Sequence, residues 1–234
     1  MEHAAMMCLQ RVLLAGLVGF AATAAEAGMV TYSDSISVTT TNWSNHLNVS
    51  KFDTSLGTLN SVTITFGGTV VSNAKVESLD AALSTITAKS SAELTLKYSD
   101  GTLLFDETPT NSKTFNASAF DGVIDFGGTS GHSFGDVTAT ISPNDTTVLT
   151  SGTEFAAFEG SGTYSFITAT SDHSSTTGAG NLISQVSTKA GDNVSVTYNY
   201  TAASTVPEPS SAVTAAIGAA VCGLVACLRR RARI

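Results

Sequence analysis

Across residues 28–205 this chain has no cysteine and no arginine. The three cysteines, Cys8, Cys222 and Cys227, all lie outside that stretch. Their absence excludes a disulfide framework, a thiolate metal site and a thiol nucleophile from it. A stretch of this length buries a core without covalent staples. Arginine is confined to Arg11 and to Arg229, Arg230, Arg231 and Arg233. Within the stretch, six lysines against sixteen aspartates and glutamates leave a formal charge of −10. Phosphate contacts need clustered Lys or Arg, so no nucleic-acid partner is expected. An acidic surface of this kind suits solubility outside a cell and loose association with cations. Helical periodicity is scarce as well. Val76, Leu79, Leu83 and Ile86 have roughly helical spacing in a Ser/Thr-rich segment, which leaves 76–90 open between helix and strand.

What is present begins with two apolar ends. Arg11 precedes VLLAGLVGFAATAAEA, the order of a positive n-region, a short apolar run and an A-x-A site. This predicts a secretory signal peptide over 1–27, with Ala25 and Ala27 at the cleavage positions and Gly28 as the new N-terminus. An uncleaved N-terminal anchor is the alternative. At the other end, 212–228 carries no charge and sits at the lower limit for a membrane-spanning helix. At ~1.5 Å per residue it covers roughly 26 Å. Arg229, Arg230, Arg231 and Arg233 snorkel at its end and stay on the cytoplasmic side as a membrane stop.

Val206, Pro207, Glu208 and Pro209 stand just before that span. The two prolines hold the backbone extended and keep the approach open to an enzyme. VPEPS, a short apolar span and a terminal arginine cluster together resemble the PEP-CTERM sorting signal, over 206–234. The resemblance implies processing by an exosortase-type membrane protease in addition to signal peptidase. It further implies an inner-membrane-anchored precursor and a mature protein at the cell surface or in an extracellular matrix, linked to exopolysaccharide and biofilm. A plain C-terminal anchor is the alternative. A GPI-type tail would end apolar, not on arginines.

Between the two ends the pattern is β throughout. SVTITF sets Val62, Ile64 and Phe66 against Ser61, Thr63 and Thr65. ELTLKY sets Leu94, Leu96 and Tyr98 against Glu93, Thr95 and Lys97, and NVSVTYNY sets Val194, Val196, Tyr198 and Tyr200 against Ser195, Thr197 and Asn199. VTATI at 137–141 and TYSFI at 163–167 are shorter strands. Asp100-Gly101 reads as a hairpin turn and Asp121-Gly122 as a second one. TEFAAFEG forms at most one helical turn near Phe155. Half-buried strands joined by turn-rich links predict an all-β fold, an antiparallel two-sheet sandwich spanning 28–205. It would be flanked by a signal-peptide helix and a single C-terminal transmembrane helix. The stretches at 52–70, 158–166 and 178–201 resemble the choice-of-anchor E domain, a bacterial surface module. That resemblance brings no catalytic residues with it.

Chemistry is sparse. Gly131-His132-Ser133-Phe134-Gly135 matches the G-x-S-x-G nucleophile elbow, and Ser133, Asp145 and His173 can be arranged as a triad on paper. An elbow needs a helix after the serine, yet Val137, Ala139 and Ile141 alternate as in a strand. His46, His132 and His173 stand alone, with no paired histidines for zinc. Asp121, Asp125 and Asp136 lie in a Gly-rich region without a Ca²⁺-loop pattern, so turn chemistry is the better reading. Asp106-Glu107 reads as a solvated turn. The sequence calls for no cofactor and no metal. The leading expectation is a non-catalytic surface or matrix protein. The alternative is a carbohydrate-binding module, in which Trp43, Tyr164, Tyr198 and Tyr200 would supply exposed rings. A secreted serine hydrolase is the weaker alternative.

Overall fold

The computed structural model describes residues 26–141, 144–203, 218–223 and 228–229. Contacts divide the chain into one unit of Ala27–Ala202 and another of Met1–Glu26 with Ala203–Ile234. In the second unit, 218–223 and 228–229 are helical. No helix among the described residues is long and apolar enough to cross a membrane. The expected signal-peptide helix and most of the expected 212–228 span lie outside the described residues.

The first unit is β almost throughout. Its strands are β1 (Ala27–Thr40), β2 (Ser44–Ser50), β3 (Gly57–Ser78), β4 (Ser84–Lys97), β5 (Leu103–Glu107) and β6 (Thr110–Ala117). They continue as β7 (Gly131–Thr140), β8 (Asp145–Leu149), β9 (Thr163–Asp172), β10 (Ser175–Thr177) and β11 (Leu182–Ala202). A short helix, α1 (Thr153–Ala157), precedes β9. It is the single turn expected from TEFAAFEG.

Two antiparallel sheets result. The first runs β1-β11-β3, with β7 and β8 following one another along the far edge of β3. In the second, β4 pairs with β5, β6, β9 and β10, and β2 lies beyond β9. The period-two residues face each other across the gap. Val62, Ile64, Phe66, Leu94, Leu96, Val194, Val196 and Tyr198 belong to a single buried cluster. The sandwich and its core are therefore as the alternation predicts. Gly68 makes room for the facing sheet, because a Cβ there would lie 2.7 Å from Leu94 Cδ2.

A second, smaller cluster holds Ala74, Val76, Ile86, Ala88, Ala117, Phe134 and Val137. Between the two lies a waist of hydroxyls. Ser72 Oγ meets Ser90 Oγ at 2.9 Å, Ser174 Oγ at 2.8 Å and Thr188 Oγ1 at 3.2 Å. Ser72, Ser90 and Thr188 occupy inner positions of β3, β4 and β11, so the apolar alternation is broken at matching heights on both sheets, and Ser174 reaches them from the β9–β10 link.

Segment 76–90 resolves into strand. Val76 and Ile86 are buried at the ends of β3 and β4, whereas Leu83 in the link between them is 82% exposed. The helical spacing was coincidental. Asp100-Gly101 forms the β4–β5 turn: Gly101 has φ +89 and Asp100 Oδ1 accepts from Thr102 N at 2.8 Å. Asp121-Gly122 is not a hairpin turn. It lies in the long 118–130 link that carries the chain from β6 in one sheet to β7 in the other. Asp106-Glu107 is not a turn either, since both residues end β5 and pair with Thr95 and Leu94.

Side chains stitch the sheets together along their rims. Asn111 Nδ2 donates to Thr138 O at 2.7 Å, and Lys113 Nζ donates to Asp136 O at 3.1 Å, so β6 covers carbonyls on the free edge of β7. On the opposite rim Asn48 N donates to Asp34 Oδ2 at 2.7 Å, joining β2 to β1.

Candidate functional site

At the end of the sandwich where β3 finishes, three connecting links are hydrogen-bonded to one another. By the alternation of β3, Glu77 shares the outer face with Asn73 and Lys75, yet it is wholly buried, because the 118–130 link folds over it. Its carboxylate accepts from Ser130 Oγ at 2.7 Å and from Phe126 N at 2.8 Å. Phe126 is held at φ +57, a left-handed conformation unusual for a large side chain. Gly131 N closes the link on Gly127 O at 2.8 Å.

Neighbouring carboxylates order the rest. Asp80 accepts from Gly180 N at 2.7 Å and Asn181 N at 2.9 Å, while its carbonyl accepts from Phe120 N at 2.9 Å. Asp121 Oδ1 accepts from Val123 N and Asp125 Oδ1 from Gly127 N, both within their own link. Three links, 79–83, 118–130 and 178–181, are thus fixed to one another. Val123 and Ile124 project at 56% and 54% exposure, with Asp121 and Asp125 exposed beside them.

Of the sequence-predicted residues, Asp121 and Asp125 share this link, while Asp136 lies on β7 beside Asn73. No group of three His, Cys, Asp or Glu side chains among the described residues is arranged to hold a metal ion. Ser133, Asp145 and His173 are not brought together. Ser133 pairs with Lys75 and Asp145 with Phe66, both on the same edge of β3, roughly 30 Å apart along the strand. His173 lies in the β9–β10 link of the other sheet, 3.9 Å from Glu93.

Both glycines of the elbow motif have structural duties. Gly131 packs against Gly127 and Glu77, leaving no space for a Cβ, and Gly135 sits at φ +62 in a bulge of β7. His132 is stacked on Phe115, centroids 4.6 Å apart, with its edge to Phe134. His46 is exposed near Ser165.

The proposed sugar-stacking rings are turned inward. Tyr164 is 4% and Tyr198 0% exposed, and Trp43 and Tyr200 are half-buried. Tyr198 donates to Ser50 O at 2.9 Å, and burial pushes its hydroxyl pKa well up. Phe52, Phe158 and Tyr200 complete this aromatic plug. The carbohydrate-binding alternative loses its platform. The rim groove lined by Val71, Asn73, Asp136, Ser187 and Lys189 offers no exposed ring in exchange.

Ala27 and Gly28 open β1, paired with Thr201 and Tyr200. Arg229 is exposed in the helical residues 228–229. Ala25, Val206, Pro207, Glu208, Pro209, Arg230, Arg231 and Arg233 lie outside the described residues.

Two important residues escaped the sequence reading. Glu77 carries no sequence signal, because nothing local announces the link that covers it. Asp192 could have been found by continuing the NVSVTYNY alternation back by one pleat, which puts it on the inner face. It is 3% exposed, and burial raises its pKa to about 6, although a hydrogen bond from Thr168 opposes the shift.

No protein-family model matches the chain, and no curated protein matches it. Among solved structures it is similar to infectious bursal disease virus VP2 in a subviral particle. The identity is 14% and the TM-score 0.19, over 76% of this chain and 37% of that one. The Gt strain of the same virus gives 13% and 0.14, over 81% and 42%. The chain spans less than half the length of those viral proteins. Likeness of that degree carries neither fold nor role across.

Proposed function

We propose that the β unit is a non-catalytic module displayed outside the cell. The N-terminal signal over 1–27 exports it, and the tail over 206–234 anchors it and is removed by an exosortase-type protease. The mature protein then joins the cell surface or an exopolysaccharide-rich matrix. One observation carries this reading: Gly28, the expected new N-terminus, pairs with Tyr200, so the mature β unit starts and finishes side by side on neighbouring strands. Two processing signals placed before and after such a unit act at one end of it. The opposite end, with the links fixed by Glu77 and Asp80, lies roughly 70 Å away along β3 and is the part a tethered module presents outward.

The experiment is mass spectrometry of the exported form, with expression of the full-length gene in a bacterium that carries an exosortase. A new N-terminus near Gly28 and no peptide from the arginine tail are expected. Recovery of an intact tail on the mature protein would reduce 206–234 to a plain anchor, and an intact Met1 would remove the export signal from the reading.

A further inference from the structure

Strand β1 is hydrogen-bonded on one side only, to β11, and among the described residues no strand pairs with its other edge. The register fixes which backbone groups face outward there, because these groups alternate sides along each strand. Ile141 N donates to Gly68 O, so the even-numbered groups of β3 near Gly68 point toward β7 and the odd-numbered ones toward β11. Thr65 and Ser195 therefore bond to each other, and Val194 turns the other way to bond Asp34. Met29, Thr31, Ser33 and Ser35 are left with their N–H and C=O on the free edge. Asp34 closes one end of that edge. Its Oδ1 accepts from Ser35 N at 2.8 Å and its Oδ2 from Asn48 N on β2 at 2.7 Å. Beyond it a bulge between Ile36 and Thr39 breaks the register. The open part is 29–33, where Val30 and Tyr32 pack against the core yet stay half-exposed.

We propose that 29–33 pairs antiparallel with the same stretch of a second copy of the chain, about a two-fold axis at Thr31. A strand edge in this arrangement is self-complementary. Thr31 meets Thr31 and Met29 meets Ser33, each pair exchanging both of its N–H···O bonds. The first sheets of the two copies then run on as one, and the open flank of Val30 and Tyr32 is covered. Charge selects the partner. The stretch 28–205 carries a formal −10, yet 27–33 has no charged residue, and neither have Ser195, Thr197 and Asn199 alongside it on β11. A basic or acidic partner finds no counter-charge at this edge, whereas two copies meet without like charges opposed. The two Asp34 residues lie roughly 20 Å apart along the paired strands, beyond a Debye length of about 8 Å. The pairing uses β1 alone and does not rest on removal of either end of the chain.

The test is cross-linking in the full-length protein, with Thr31→Cys oxidised by copper phenanthroline and digested without reduction. Opposed residues of a hydrogen-bonded pair lie about 5.5 Å apart between Cα atoms, within disulfide reach. The expected result is a peptide joined to itself through position 31. It should be at least fivefold more abundant than the corresponding product of Thr197→Cys, one strand inward on the same face. A second pair of variants reads the register: Met29→Cys and Ser33→Cys chains, expressed together, should link to each other and not to themselves. No product at position 31, or equal yields at 31 and 197, overturns the proposal. Self-linked Met29→Cys chains in place of the 29-to-33 product overturn the two-fold at Thr31.

Discussion

Ser130 donates its hydroxyl to Glu77 Oε1 at 2.7 Å, and neither residue is exposed to solvent. This contact, with that from Phe126 N, holds the 118–130 link over the outer face of β3. Replacing Glu77 with Ala leaves a hydroxyl and a backbone N–H without their acceptor beneath the link. A loss of about 2–3 kcal/mol is expected. Urea denaturation measures it, and limited proteolysis locates it. Cleavage should concentrate around Val123 and Ile124, while Glu77→Gln, which keeps one acceptor oxygen, should lose less. Unchanged proteolysis of the link in Glu77→Ala would show that the carboxylate does not hold it.

The two faces of β4 give the second test. Leu94 is fully buried in the main core cluster, whereas Thr95 points to the other face and is half-exposed. Leu94→Ala removes buried methyl groups and leaves a cavity opposite Gly68, at a cost of about 2–5 kcal/mol. Thr95→Ala should stay within roughly 1 kcal/mol. Equal losses at the two positions would contradict the inward assignment of this strand.

Asp192 makes stability depend on pH in an unusual direction. Its pKa is about 6 in the folded chain, above the 3.8 of the free side chain. Below roughly pH 4 it is neutral in both states and costs nothing. Between there and about pH 6 the folded chain keeps a proton that the unfolded chain has released, so stability falls as pH rises. Above about pH 6 the penalty is complete, on the order of 3 kcal/mol. Asp192→Asn should therefore match or trail the unaltered chain at pH 4 and exceed it at pH 8. Parallel stability curves for the two proteins would remove Asp192 as the source.

Much of this fold is written in local alternation. Val62, Ile64 and Phe66, like Val194, Val196 and Tyr198, repeat every second residue with polar partners between them, and burial on one sheet face follows directly. What alternation does not reveal is which residues the connecting links cover. Glu77 has the parity of an outward residue and is buried by a segment more than forty positions further on. Val76, Leu79, Leu83 and Ile86 left 76–90 open for a related reason: their spacing suits one helical face, but the β3–β4 turn falls among them. The tyrosines show the same limit from the other side. A ring in an alternating strand is equally good as a core residue or a binding platform, and only the facing sheet, with Phe52 and Phe158, decides for the core.

The G-x-S-x-G motif supplies the last prediction. In an elbow the serine is the residue that matters, and the glycines only make room for it. On β7 the dependence is reversed. Ser133 is exposed on a strand, with Asp145 and His173 far from it, whereas Gly135 holds φ +62 where Phe134 and Gly135 together oppose Ala74. A Cβ at that backbone conformation is strained even with open space around it, at a cost of about 1–2 kcal/mol. Gly135→Ala should thus destabilise the sandwich measurably in thermal or urea unfolding, while Ser133→Ala should change stability by less than roughly 0.5 kcal/mol. A fluorophosphonate probe should leave Ser133 unlabelled, since among the described residues no histidine is placed to take its proton and no helix N-terminus follows to stabilise an oxyanion. Labelling that disappears in Ser133→Ala would return the serine to a catalytic role. A silent Gly135→Ala would mean that the bulge is not what the glycine provides.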